Sequence, residues 1–215
     1  MLDNEAILKL RRSYTLKDLG KSSVSPNPFE QFAVWMKEAL DSSILDPNAM
    51  VLATAAGEGI PSARIVLLRK FDEKGFVFFT NYESSKANDL ANNKNVSLLF
   101  FWAELERQIR ISGKVKKVSK VESQLYFATR PRESQLGAWA SKQSSVIASR
   151  EFLEKKFEEI SKKFEGKSIP LPPFWGGYRV TPKKFEFWQG RESRLHDRIS
   201  FKLEAGQWKI ERLAP

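Results

Sequence analysis

The chain carries one histidine, His196, inside the run Arg194-Leu195-His196-Asp197-Arg198. In an extended segment side chains alternate between faces. That spacing puts Arg194, His196 and Arg198 together, with two guanidinium groups beside the imidazole. Like charges at that range lower a histidine's pKa, so a neutral ring near pH 7 is expected. Two arginines on one face repel each other unless an anion or acid sits over them. Glu192 or Asp197 would neutralise a surface strand equally well, and both readings stay open on spacing alone. Trp188 and Gln189 add a flat aromatic and an amide that could border a ring.

Three further clusters point to anion chemistry. Tyr126 and Arg130 are four positions apart, hence on one face of a helix. With Ser134 beyond Pro131 they offer a phenol, a guanidinium and a hydroxyl that can clasp a phosphate; the alternative is an arginine near a helix C-terminus. Ser84-Ser85-Lys86 reads as a helix start, where free backbone N–H groups attract anions, or as plain N-capping. Arg64-Ile65-Val66-Leu67-Leu68-Arg69 is a strand bracketed by arginines. Their odd separation sends them to opposite faces unless a bulge intervenes; otherwise they contact different parts of a ligand, or the run is a core strand with charged ends.

Composition narrows the chemistry. The 215 residues carry a net charge of +10 and no cysteine. Thiolate metal sites, iron–sulfur clusters and cysteine nucleophiles are excluded, as are metal sites built on several imidazoles. A Ser–His–Asp triad could run only through His196. No apolar run approaches the ~18 residues of a membrane span, and Met1 to Arg12 lacks a secretory pattern, so a cytoplasmic protein without membrane attachment is expected. The positive charge favours anionic partners. Nucleic acid is disfavoured, because the arginines cluster near aromatics and hydroxyls instead of forming one stripe. The pair Gly176-Gly177 is too little for a dinucleotide loop.

The elements that must position these groups are short strands with a few helices. Residues 1–25 read as a mobile N-terminal segment and 26–215 as one domain. Asn27-Pro28 starts an amphipathic helix through about Ile44. Strands are expected at Met50 to Ala56, Ile60 to Leu68 and Phe76 to Thr80, with a short helix from Ser84 to about Asn93. A hairpin pairs Val96 to Ala103 with Gln108 to Val118. Helices follow over Lys120 to Arg130 and from Ser149, the latter burying Phe152, Leu153, Phe157, Ile160 and Phe164. Strands close the chain at Tyr178 to Thr181, Phe185 to Gln189, Leu195 to Leu203 and Gln207 to Arg212. This pattern predicts an α+β fold around a small closed or partly open barrel.

Taken in order, several stretches resemble the pyridoxine/pyridoxamine 5′-phosphate oxidase family. They are RRSY (Arg11 to Tyr14), ARIVLLR (Ala63 to Arg69), ERQIRISG (Glu106 to Gly113) and RPRESQLGAWASKQSS (Arg130 to Ser145), then PPFWGGYRV (Pro172 to Val180), EFWQG (Glu186 to Gly190), RLHDR (Arg194 to Arg198) and WKIERLAP (Trp208 to Pro215). The likeness spans nearly the whole chain. It implies an FMN-binding split β-barrel of Greek-key type with peripheral helices, and a homodimer with FMN at the subunit interface. It also implies oxidation of pyridoxine or pyridoxamine 5′-phosphate to pyridoxal 5′-phosphate, with O2 as acceptor and H2O2 released. The resemblance assigns FMN to Arg64, Ile65, Val66, Leu67, Leu68, Phe79, Thr80, Ser85, Lys86 and Gln108, with Gln143, Ser144, Trp188 and Arg198 coming from the other subunit. It assigns the substrate phosphate to Arg69, Tyr126, Arg130 and Ser134. Arg194 and His196 would lie catalytically against the pyridine ring, and Arg11 and Tyr14 would belong to a segment covering it. Two positions depart from the family pattern: Arg69 stands where lysine is frequent, and Ser85 where arginine is frequent. An FMN barrel acting on another substrate is the rival reading.

Overall fold

A computed structural model describes residues 4–10, 12–57 and 59–215. The fold is mixed helix and strand, and the nine strands among the described residues belong to one sheet. The chain forms two compact units. The first comprises Met1–Asn48, Leu98–Ile111 and Lys183–Pro215, the second Ala49–Ser97 and Ser112–Pro182.

In the first unit, helix α1 (Asn4–Lys9) precedes α2 (Pro28–Leu40). The Asn27 side chain accepts the Phe29 N–H at 2.9 Å and Pro28 holds the first helical position, as the sequence predicts. The helix ends at Leu40, earlier than the apolar spacing suggests, because Asp41 caps it. Its apolar face buries Phe32, Trp35, Met36 and Ala39. Phe32 meets Phe100 edge-on at 5.2 Å, and Trp35 meets Phe187 at 5.3 Å.

The second unit opens with β1 (Ala49–Ala55) and β2 (Pro61–Leu67), paired antiparallel from Ala49↔Leu67 to Ala55↔Pro61. The expected single strand through Leu68 stops at Leu67, and the chain then changes partner. The Arg69 N–H donates to the Val77 carbonyl at 2.9 Å, and β3 (Lys70–Asp72) pairs with β4 (Gly75–Asn81). Helix α3 (Ser85–Asn92) follows. Strands β5 (Asn95–Trp102) and β6 (Arg107–Lys117) bury alternate residues, the pattern of strands covered on one face.

Helix α4 (Lys120–Ala128) stops before Arg130, and a second helix, α5 (Arg132–Ala140), starts directly after Pro131. The sequence reading has no helix there. Pro131 looks like a terminator, yet proline is compatible with a helix start as well as an end. Ser149 caps α6 (Arg150–Lys163), as expected. Phe152, expected inward, is 47% exposed, whereas Phe164 just beyond the helix is buried. Phe127, Leu136, Phe164, Ile169 and Trp175 form one core cluster.

Strand β7 (Trp175–Gln189) is a single element where two are expected, because Pro182 is accommodated within it. Trp175 to Val180 pair with β4, and Lys184 to Gln189 pair with β8 (Asp197–Glu204), which pairs in turn with β9 (Gln207–Leu213). Gly75, at φ +127°, sits where a Cβ would lie 2.0 Å from the Val180 carbonyl oxygen, so backbone contact demands glycine there.

Candidate functional site

In the second unit, Phe79 and Thr80 lie on β4, Lys86 in the first turn of α3, Arg130 and Ser134 around Pro131, and Trp175 at the start of β7. With Gln143, five of these six (Lys86 excepted) line an open cavity of about 340 Å³. One wall is aromatic: Phe79 stacks on Tyr126 at 3.9 Å and on Trp175 at 5.6 Å. Arg130 lies over the Trp175 ring at 4.7 Å, and Arg69 is 5.9 Å from the Tyr126 centroid. Lys70 turns instead to Asp72 (3.6 Å), so of the two adjacent cations it is Arg69 that joins the cluster.

The electrostatics of this cluster call for an anion. Arg130 Nη1 is buried and has no hydrogen-bond partner. Burial disfavours its charged form, and so does nearby Arg69, while Tyr126 acts the other way. A buried donor left unmet costs free energy that an incoming acceptor returns. Lys86 Nζ donates to Gln143 Oε1 (2.9 Å), Ser84 Oγ (3.1 Å) and Thr80 Oγ1 (3.2 Å), all uncharged oxygens. Burial and then Arg64 push its pKa down from the usual lysine range. The Arg64 guanidinium is itself fastened, donating to Thr54 Oγ1 at 2.6 Å and to the Leu52 carbonyl at 3.1 Å, with Asp89 3.7 Å away. An anionic group such as the phosphate of FMN suits this donor set: neutral oxygens hold the amine in place without cancelling its charge.

The structure revises how these residues come together. Tyr126 and Arg130 do not share a helical face, since α4 ends at Ala128; they are neighbours through the aromatic wall. Between Arg64 and Arg69, where a bulge was one of the alternatives, the strand ends at Leu67. Gln143 meets Lys86 and Thr80 of its own chain. Ser144 is exposed and in the left-handed region (φ 70°). Ser84 makes no side-chain cap bond; its hydroxyl donates to the Asn81 carbonyl. Ser85 is exposed at the first position of α3, Ile65 is 62% exposed, Val66 and Leu67 are half-buried, and Leu68 is buried.

The first unit holds a different group. His196 packs against Trp188 at 4.6 Å and against Tyr14 at 5.7 Å. Its Nδ1 accepts the Arg191 N–H at 3.1 Å, which leaves Nε2 as the nitrogen that carries the proton of a neutral ring. The predicted extended run from Arg194 to Arg198 is not regular. Residues Glu192–Arg194 form a 3-10 turn, Ser193 and Arg194 have φ of 54° and 62°, and β8 begins only at Asp197. Alternation therefore does not govern Arg194. Arg194 and His196 share instead an open cleft of about 740 Å³ with Arg12 and Tyr14. Arg198 is neutralised neither by Glu192 nor by Asp197 but by buried Glu186, at 2.9 and 3.0 Å. Gln108 lies half-buried on β6 in this unit. Arg11 falls outside the described residues.

Sequence reasoning missed Trp175, which carries the Arg130 contact. Trp175 was visible in the stretch PPFWGGYRV but lacked a chemical signal of its own. No helix among the described residues is long and apolar enough to cross a membrane.

Strand order, helices and an anion-seeking cluster define an α+β split-barrel protein. The same fold is found in PhzG from Burkholderia lata 383, solved in complex with tetrahydrophenazine-1-carboxylic acid (TM-score 0.87, 29% identity, covering 93% of this chain and 99% of that one). It recurs in an FMN-binding protein of Nostoc punctiforme related to pyridoxamine 5′-phosphate oxidase (TM-score 0.70, 17% identity, 89% and 100% covered). Residues 36–164 match the family described as pyridoxamine 5′-phosphate oxidase, and residues 175–215 match the pyridoxine 5′-phosphate oxidase C-terminal dimerisation region. A pyridoxine/pyridoxamine 5′-phosphate oxidase of Rippkaea orientalis is 58% identical, over 97% of this chain and 99% of its own. One from Rubrobacter xylanophilus is 54% identical over 96% and 95%. The chain belongs to the pyridoxine/pyridoxamine 5′-phosphate oxidase family and is an oxidoreductase.

Proposed function

We propose that the protein oxidises pyridoxine or pyridoxamine 5′-phosphate to pyridoxal 5′-phosphate with FMN as cofactor, O2 as electron acceptor and H2O2 as second product. The observation that carries the reading is the unpartnered Arg130 Nη1 in a cavity shared with Ser134 and walled by Phe79 and Trp175. A phosphate there would satisfy the guanidinium, with Arg69, Tyr126 and Ser134 contributing further contacts. Flavin, when bound, accepts two electrons from the substrate and returns them to oxygen. Its phosphate is assigned to Lys86 and Arg64, with Thr80, Ser85, Gln143 and Ser144 nearby in sequence or space. Its ring is assigned to the chain from Ile65 to Leu68, Phe79 and Gln108.

The ring end of the substrate is assigned to Arg194, His196 and Tyr14. Arg194 bears a charge that can close over a pyridine ring, and His196 offers an Nε2 proton to a ring oxygen. Trp188 and Arg198 are assigned to the cofactor of the partner subunit in a homodimer, in keeping with the family's C-terminal dimerisation region. The protein is placed in the cytoplasm. Fixing the orientation of the substrate is where the protein supplies rate.

Two variants test the assignment. Arg64→Ala should be purified colourless, having lost flavin. Arg194→Ala should retain flavin and oxidise pyridoxamine 5′-phosphate slowly. Full turnover in Arg194→Ala, or a yellow Arg64→Ala protein, would contradict it. Turnover of a fused-ring carboxylic acid in place of the phosphorylated vitamer would favour the rival substrate class.

A further inference from the structure

Glu106 combines two costly features. It is 2% exposed, and its backbone sits in the left-handed region at φ 55°. Glycine would adopt that backbone without strain, and a buried carboxylate is tolerated only when its oxygens are met. They are met by one short stretch of chain. Oε2 accepts the Thr15 N–H at 2.8 Å and the Leu16 N–H at 3.0 Å, and Oε1 accepts Arg12 Nη2 at 3.3 Å. Arg12 Nη1 donates in addition to the Ala103 carbonyl at 3.2 Å.

The same stretch is held again further on. Asp197 accepts the Leu19 N–H at 3.0 Å, and Arg212 donates both to Asp197 and to the Leu19 carbonyl. Within the first anchor, between Arg12 and Thr15, stands Tyr14, edge-on to Trp188 and to His196, each at 5.7 Å. Gly190 makes the space. A Cβ on it would lie 2.7 Å from Tyr14 Cβ, and its N–H donates to the Glu106 carbonyl at 2.8 Å. Glu106 thus grips the segment with its carboxylate and, with its carbonyl, the turn on which Tyr14 rests.

We propose that Glu106 is a positioning residue for the reaction: it latches Arg12 to Leu16 so that Tyr14 is held against His196 and Trp188, and Gly190 is glycine because Tyr14 occupies its side-chain space. The proposal rests on the reading of Tyr14 and His196 as ring-binding residues. It touches none of the phosphate cluster and, of the residues assigned to flavin, only Trp188, so Glu106→Ala should keep its flavin.

The test uses the flavin-loaded protein. Amide hydrogen exchange at Thr15 and Leu16 should be at least about ten-fold faster in Glu106→Ala than in the wild type, while strands β5 and β6 exchange as before. The KM for pyridoxamine 5′-phosphate should rise about ten-fold with kcat within about two-fold, and Glu106→Gln should fall between. A merely structural role would lower thermal stability without that KM-selective change. Unaltered exchange and unaltered KM would overturn the proposal. Should Glu106→Ala fail to fold, Gly190→Ala gives the second handle: it should raise KM while Thr15 and Leu16 stay protected, and an unchanged KM there would equally overturn it. A wild-type protein that consumes no pyridoxamine 5′-phosphate would count against the functional reading instead, and the exchange pattern would still decide whether the latch exists.

Discussion

At the scale of single residues, Arg130 shows the trade between stability and function. Its Nη1 is buried without a partner, and burial opposes its charge. Free protein gains nothing from that atom, whereas a phosphate would gain a charge-assisted bond. Arg130→Met should therefore leave the thermal midpoint of the ligand-free protein unchanged or slightly raised. It should weaken the KM for pyridoxamine 5′-phosphate by the equivalent of roughly 2–5 kcal/mol. Thermal unfolding and initial rates measured side by side check both signs; a lowered midpoint with an unchanged KM would contradict the assignment. Residue type alone made Arg130, Tyr126 and Ser134 visible as a group in the sequence. Their geometry was not visible, because whether Pro131 stops one helix or starts another depends on packing around Phe127 and Leu136. His196 was legible as the sole imidazole, but its setting was not. The left-handed residues Ser193 and Arg194 break the alternation that an extended run would impose.

At the scale of elements, β7 bears the most weight. It supplies Trp175 to the cavity lined by Arg130, Trp188 to the histidine and buried residues along most of its length. Its Tyr178 is buried, stacked on Phe78 at 5.7 Å and edge-on to Tyr82 at 5.3 Å. Burial, and then Tyr82, push its phenol up to about 12 from an ordinary 10.0. The folded state therefore holds its proton more tightly than the unfolded chain. Its contribution is intact below pH 10.0 and lost as pH rises towards about 12. At full strength the two-unit difference corresponds to no more than about 3 kcal/mol. Denaturant midpoints measured across that range should fall less steeply in Tyr178→Phe than in the wild type; equal slopes would contradict the argument. The hairpin of β5 and β6 and α2 with its Asn27 cap were both legible from periodicity and turn residues. The union of two expected strands into β7 was not, since a proline in a strand reads as an end until its neighbours show otherwise.

At the scale of the whole molecule, the positive charge acquires a local meaning. A net charge of +10 alone admits any anionic partner. Lys86 held by neutral oxygens and Arg130 left unmet narrow the candidates to a compact anion such as a phosphoryl group. The α+β class was legible from many short strands and few helices, and the family from motifs spread along nearly the full chain. The clamp on Arg12 to Leu19 was not legible, because Glu106, Asp197 and Arg212 are far from it in sequence and no spacing rule links them to it. The central claim is that this protein holds a flavin and a phosphorylated vitamer so that electrons pass from one to the other. Its most direct test is the visible spectrum of the purified protein before and after anaerobic addition of pyridoxamine 5′-phosphate. A yellow flavin absorption should bleach on addition and return when air is admitted. A colourless protein that takes up no FMN, or a flavin absorption that the vitamer leaves untouched, would contradict it.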